Sequence, residues 1–307
     1  MEKLTNFLNE CTFGSASEFL AALSPLTSSH DFEGYIFRGH SDDTYELVPS
    51  SIRRAEKDKL WRICGLGKPI EDQSEWELWQ SRAEYNLLRE FYKIADRRGL
   101  YVPKSDRVRA RLASTFDMFN NVRLHPEKWL PNDLLELAGL AQHYGLPTRL
   151  LDWSYDPLIA AYFAAASAKP DKYLSVWALD ADAMIYMNET VHRSPLNIVT
   201  PPYHGNPNLA AQSGIFTSWS VVVRNPLVLD GNSPFVERRS LDTLIKTHTS
   251  NNSWNFHRSA FMKFRLPSTH ATDVLKILER AGYGPSRIFP GYGGVAKEVS
   301  RQCRSEA

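Results

Sequence analysis

Residues 142–153 read Gln142-His143-Tyr144-Gly145-Leu146-Pro147-Thr148-Arg149-Leu150-Leu151-Asp152-Trp153. A helix pattern over residues 132–144 leads into this run, opened by Pro131 and stopped by Gly145. Leu146 and Pro147 then turn the chain into a strand expected over residues 148–152. The next helix starts at once, with Ser154 or Asp156 as its cap and Pro157 in its first turn. Helix, turn, strand and helix thus follow without spacer, and His143, Thr148, Arg149 and Asp152 crowd the turn. A merely structural turn needs no such density of hydrogen-bonding groups. A cleft that grips a polar ligand does.

Working outward, period-two alternation predicts strands over residues 34–38, ending at Gly39, and over 173–179, 215–224 and 260–266. Residues 76–98 form the clearest helix, because Glu84, Leu88, Phe91 and Ala95 recur at three- and four-residue steps and Gly99 ends it. Further helices are expected over 15–26, 107–120, 269–281 and 295–302. The Ala-rich stretch 158–168 is too short to span a membrane and reads as a buried helix. Residues 53–73 read as irregular and charge-rich. The four prolines within 194–208 predict a long surface loop. The front of the chain is mainly helical and the back mixes strands with helices. The expectation is one α+β domain over residues 1–307, built on a mixed or split β-sheet, with a helical insertion over 55–135.

The 307 residues suffice for one large domain, and 43% hydrophobic with 23% charged is ordinary for a globular chain. Eight Trp and thirteen Tyr supply an aromatic core or an aromatic cleft. A net charge of +1 argues against a protein built mainly to hold phosphate backbones, though it leaves room for a local basic patch. Cys11, Cys64 and Cys303 lie far apart, with no zinc spacing and no even count, so free thiols in a reducing cytoplasm are expected. The polar, acidic start MEKLTNFLNE is no signal peptide, and no membrane segment is expected. The histidines show no metal spacing, so no metal site is expected.

Arg38 ends an apolar strand. Its guanidinium can fork onto a phosphate or carboxylate ligand, or pair with a carboxylate of the chain, and Gly39 beside it would permit a turn and close approach of a ligand. His143 sits at a helix C-terminus, where the dipole favours its cation. It can act as acid, base or ligand donor, or cap a free carbonyl. Thr148 and Arg149 should face opposite sides of their strand. Arg149 and Asp152 are a candidate buried pair, and the alternative places them on a ligand. Gln212, before Gly214 and a strand, can read a ribose hydroxyl or a base edge, or simply make a turn.

A wider set of residues carries a resemblance. Phe37-Arg38-Gly39 is followed by Tyr45, Leu47, Pro49 and Arg53, then by Glu84 and Phe91. The 142–153 run comes next, with Pro157, Ala160 and Phe163 behind it, and Gln212, Gly214, Phe216, Thr217 and Phe289-Pro290 follow. Together these resemble the FRG domain, a bacterial family named after its tripeptide, over roughly residues 20–300. More distantly, the order of elements is similar to that of ADP-ribosyltransferases. That second resemblance implies a split-sheet cleft for NAD as candidate substrate, with no certain cofactor. Arg38 would hold the dinucleotide, Thr148 or Ser154 would support the site, and Tyr45, Arg149 and Gln212 would line it. The third transferase position, a Glu, is here Gln212, so Asp152 becomes the candidate catalytic carboxylate beside Arg38 and His143. The function so implied is a cytoplasmic nucleotide-binding protein acting as a transferase-like toxin or defence effector, with a protein or nucleic-acid acceptor. The alternatives are a non-catalytic nucleotide or nucleic-acid sensor and a protein-interaction scaffold.

Overall fold

The computed structural model describes residues 7–54, 57–64, 75–113, 127–190, 194–204, 206–224, 234–252, 254 and 256–305. A mixed seven-stranded sheet organises them, in the order β1-β9-β5-β2-β4-β7-β6. Its strands are β1 (Leu8–Thr12), β2 (Tyr35–His40), β4 (Leu151–Ser154), β5 (Tyr173–Asp180), β6 (Leu196–Val199), β7 (Gly214–Trp219) and β9 (Phe261–Pro267). Only β1 and β9 run parallel, and every other neighbouring pair is antiparallel. Two short strands, β3 (Glu127–Trp129) and β8 (Val221–Val223), pair separately. The α+β class with a mixed sheet is therefore the observed one.

The sheet has a seam. β2 pairs with β5 over six positions, from Tyr35↔Asp180 to His40↔Ser175. On its other edge β2 meets β4 at one register position, Phe37↔Ser154. Beyond it the two strands part. The sheet thus consists of a half built from β1, β9, β5 and β2 and a half built from β4, β7 and β6.

Helices cover the two halves separately. Helix α1 (Ala16–Leu23) starts where the Ser15 hydroxyl accepts the Glu18 amide at 3.3 Å. Helix α2 is Lys57–Cys64, α3 is Glu77–Arg97, α4 is Asp106–Arg109, α5 is Asn132–His143 and α6 is Pro157–Ala166. Then come α7 (Ala181–Glu189), α8 (Pro207–Ala211), α9 (Leu241–Asn251), α10 (Ala271–Arg280), α11 (Pro285–Ile288) and α12 (Tyr292–Ser305). On one face α1, α6 and α10 bury Phe19, Ala160, Ala164 and Leu278 against Phe37, Val176 and Phe264 of the first half. Helices α3 and α5 bury Tyr85, Tyr92, Leu134 and Leu137 with Trp129 and Phe216, over the second half. A third cluster, with α7 and α9, lies under Ile36, Trp153, Trp177 and Ile215 on the opposite face.

Several expectations shift. The strand expected over 148–152 lies at Leu151–Ser154, because the Thr148 carbonyl is taken by the Ser51 amide at 3.2 Å and not by a ladder partner. Within the loop expected over 194–208, Leu196–Val199 forms the edge strand β6 on β7, and Pro195, Pro201 and Pro202 fall outside it. Part of the stretch read as irregular is α2. Of the helix expected over 107–120, α4 and the turn after it are seen, and residues 114–120 lie outside the described residues. No described helix is long and apolar enough to cross a membrane.

Candidate functional site

β2 alternates its side chains, so Phe37 and Gly39 face one way and Arg38 and His40 the other. Phe37 enters the core under α6. Gly39 lies directly beneath that helix. A Cβ there would sit 2.0 Å from the Ala160 carbonyl oxygen and 2.7 Å from the Ala164 amide nitrogen. The glycine is required because the helix backbone approaches it this closely, and it also lines the cavity at the seam.

Arg38 closes the seam. Its Nη1 donates to the Asp152 backbone carbonyl at 2.7 Å and to the Asp152 carboxylate at 3.1 Å. A guanidinium thus stands where strand-to-strand hydrogen bonds would have continued. Its Nε donates to His40 Nε2 at 3.0 Å. The Asp152 carboxylate also accepts from the Gln142 amide, whose oxygen accepts from the Thr148 hydroxyl. One hydrogen-bonded chain therefore runs Thr148–Gln142–Asp152–Arg38–His40 and ties the 142–153 run to the FRG tripeptide. Its members cooperate, since each donor polarises the next.

A cavity of about 640 Å³ opens at the seam. Arg38, His40, Tyr45 and Arg53 line it, with Gln142, His143 and Asp152 from the 142–153 run and Ser154 at the end of β4. Phe163, Asn208, Gln212, Phe216 and Phe289 complete it. The aromatic rings of Phe163 and Phe289 meet edge-on at 6.0 Å. Tyr45 is 44% exposed, with its ring 6.1 Å from that of His40. Among the described lining residues, Asp152 is the one acid, and its side chain is 57% exposed.

The site residues expected from sequence divide into three groups. Arg38, His143, Asp152 and Tyr45 come together on the cavity. Ser154 and Gln212 also line it, but both make structural contacts. The Ser154 hydroxyl donates to the Gln212 carbonyl at 2.8 Å and accepts from the Asp156 amide, and the Gln212 side chain donates to the Ile288 carbonyl at 3.2 Å. Thr148 and Arg149 are both buried, 3% exposed each, and do not line the cavity. They do not face opposite sides of a strand, since that segment is no strand.

The expected Arg149–Asp152 pair does not form. Arg149 points away into the helical layer, where its Nη2 meets Glu77 at 2.5 Å and its Nε donates to Glu84 at 3.0 Å. Glu84 also accepts from Ser51 at 2.7 Å, from Gln80 at 2.9 Å and from the Trp129 indole at 2.5 Å. Burial pushes the Glu77 carboxyl up, and Arg149 opposes that shift. This cluster fastens α3 to the 142–153 run. Ligand contact is thereby withdrawn from Arg149.

Two histidines line the cavity. His143 is half-buried, and burial lowers its pKa against the opposing charge of Asp152. Burial therefore disfavours the cation that the helix end was expected to favour. His40 is buried, and its pKa falls to about 3 through burial first and then the charges of Arg38, Arg53 and Lys263. His40 and Gln142 were missed as site residues from sequence. For His40 the available signal was its place two residues after Arg38 on one strand. For Gln142 it was the helix end beside His143.

Residues 33–173 match the family model of the FRG domain. No curated protein and no solved structure matches the chain. The matched stretch contains both sides of the seam, Arg38 on β2 and Asp152 on β4, and in those residues the chain is similar to the FRG domain.

Proposed function

We propose that the seam cavity binds a nucleotide of the NAD class. The observation that carries this reading is the pairing of unlike surfaces in one cavity of about 640 Å³. Arg38 and Arg53 supply cationic donors suited to phosphate oxygens. Phe163, Phe289 and Tyr45 supply rings suited to a base. The volume falls in the usual range of roughly 300–1,000 Å³ for small-molecule sites. Ribosyl transfer or NAD cleavage is the second reading, and Asp152 supports it as the exposed carboxylate of the cavity. It would face the positive charge that develops at the ribose carbon. Because Gln142 and Arg38 already hold that carboxylate, binding is placed ahead of chemistry.

A thermal-shift panel with NAD, ADP-ribose, ATP and short oligonucleotides tests the first reading. At a hundredfold excess over Kd a true ligand stabilises by about 2.7 kcal/mol. No shift with any nucleotide removes the proposal. Loss of NAD on incubation separates the enzyme from the sensor.

A further inference from the structure

Within the seam, one group is buried, polar and not used by the binding reading, and that is His40. It stands two positions after Arg38 on β2, so both side chains leave the same face. The Arg38 Nε–H donates to His40 Nε2 at 3.0 Å. A guanidinium does not lose its proton in a protein, so Nε2 must offer a lone pair. An imidazole that accepts at Nε2 while neutral carries its one proton on Nδ1. That Nδ1 is buried without a partner at hydrogen-bond geometry, and the Tyr45 backbone exerts only a weaker pull on it.

The guanidinium has five N–H donors. The Nε proton goes to His40, and Nη1 serves the carbonyl and carboxylate of Asp152. Among the described residues Nη2 donates to no acceptor, and the Arg38 side chain is only 14% exposed. We propose that His40 is a positioning residue: as the neutral Nδ1–H tautomer it fixes the plane of the Arg38 guanidinium, so that Nη2 is presented to a phosphate oxygen of the ligand. The ligand half of this statement rests on the nucleotide reading above, and the tautomer half does not.

The low pKa of His40, with Arg38, Arg53 and Lys263 as the charges that face it, keeps the ring an acceptor across the neutral range. A cationic imidazole would lose the lone pair and repel the guanidinium. Phosphate binding thereby gains a rigid donor pair whose ordering is already complete before the ligand arrives.

Two measurements on the full chain test it. Long-range proton–nitrogen NMR of the imidazole at about pH 5 should show His40 neutral, with Nδ1 protonated and Nε2 bare, together with a protected Arg38 Nε–H signal. A cationic ring or an Nε2–H tautomer at that pH overturns the proposal, whatever the ligand. Calorimetric titration with ADP-ribose then compares His40→Phe with His40→Gln, whose amide oxygen can replace the Nε2 acceptor. Affinity should fall about tenfold or more in His40→Phe and stay within about threefold in His40→Gln. Equal affinity in wild type and His40→Phe overturns the proposal, and so does an equal loss in both variants. If wild type itself takes no ADP-ribose, the nucleotide reading fails, and the NMR arm still decides the positioning. That arm needs no variant, so a failure of His40→Phe to fold leaves it intact.

Discussion

Arg38 Nη1 bonds both the backbone carbonyl and the carboxylate of Asp152, at 2.7 and 3.1 Å, across the place where β2 and β4 stop pairing. A side chain therefore completes the sheet at the point where the sheet opens to form a cavity. Arg38→Lys should show that charge alone does not suffice. An ammonium has three donors on one atom, but it cannot hold the His40 contact and both Asp152 oxygens in one plane. The variant should lose about 2 kcal/mol in urea denaturation, the scale of a hydrogen bond to a charged group. ADP-ribose affinity should drop about tenfold or more by calorimetry.

Asp152→Asn separates the two readings of function. The Asp152 carbonyl contact to Arg38 survives the change, and the side chain is 57% exposed, so stability should fall by no more than about 1 kcal/mol. Nucleotide binding should persist within a few-fold. If wild type consumes NAD, turnover in the variant should fall by about a hundredfold or more in an NAD-loss assay. Full activity in Asp152→Asn would assign the residue to the architecture alone.

Gly39→Ala should be among the most damaging small substitutions in the chain. Its new methyl group meets backbone of α6, the Ala160 oxygen at 2.0 Å, and a helix backbone cannot step aside as a side chain can. Overpacking typically costs about 1–3 kcal/mol, and a clash with helix backbone falls at or above the top of that range. The expected readout is a lowered urea midpoint or insoluble protein, and wild-type stability would refute the close contact.

Arg149→Met removes the cation from between two buried carboxylates, Glu77 and Glu84. Leaving them uncompensated should cost about 3–5 kcal/mol. Arg149→Lys should recover part of that loss but not the two-sided contact. In whatever fraction folds, ADP-ribose affinity should match wild type, because Arg149 does not line the seam cavity.

Stability should fall on mild acidification partly through His40. In the native state this histidine stays neutral down to about pH 3. In the unfolded chain it takes up a proton near pH 6.5. Between those values the unfolded state binds more protons, so the contribution is complete above about pH 6.5 and is lost as pH falls toward 3. The slope reaches about 1.4 kcal/mol per pH unit for one such group. His40→Gln should flatten the profile of unfolding free energy between about pH 6.5 and 5. An unchanged profile would show that His40 is not the group responsible.

Much of the fold was legible because alternation and helical spacing report burial directly. Glu84, Leu88, Phe91 and Ala95 marked α3, and the strand of Phe37 and Arg38 was visible as β2. The cavity residues His143 and Asp152 stood out as polar groups crowding a turn, and Arg38 as a cation at a strand end, although the same run also held Thr148 and Arg149, which the structure buries. What failed was partner choice. Arg149 was matched to the carboxylate three residues away, but its partner Glu84 lies 65 positions off on a helix. That Gly39 also carries a helix against its back was hidden, because sequence does not show which helix crosses a strand. Strand β6 was hidden among prolines, since Pro195, Pro201 and Pro202 bracket its four residues without entering them. Helices α7 and α9 carried patterns too mixed to stand out.

The seam also sets how the protein can be cut. The family-matched stretch, residues 33–173, carries β2 and β4 whole but only the first residue of β5. Outside it lie the rest of β5, on which β2 leans over six positions, and all of β7, on which β4 leans over four. Excised at those limits, the two seam strands would expose both outer edges and keep one shared position, Phe37↔Ser154. Such edges invite aggregation. The matched stretch therefore holds Arg38 and Asp152 but lacks the strands on which both seam strands lean. A version that keeps the whole cavity must reach from β2 to Phe289.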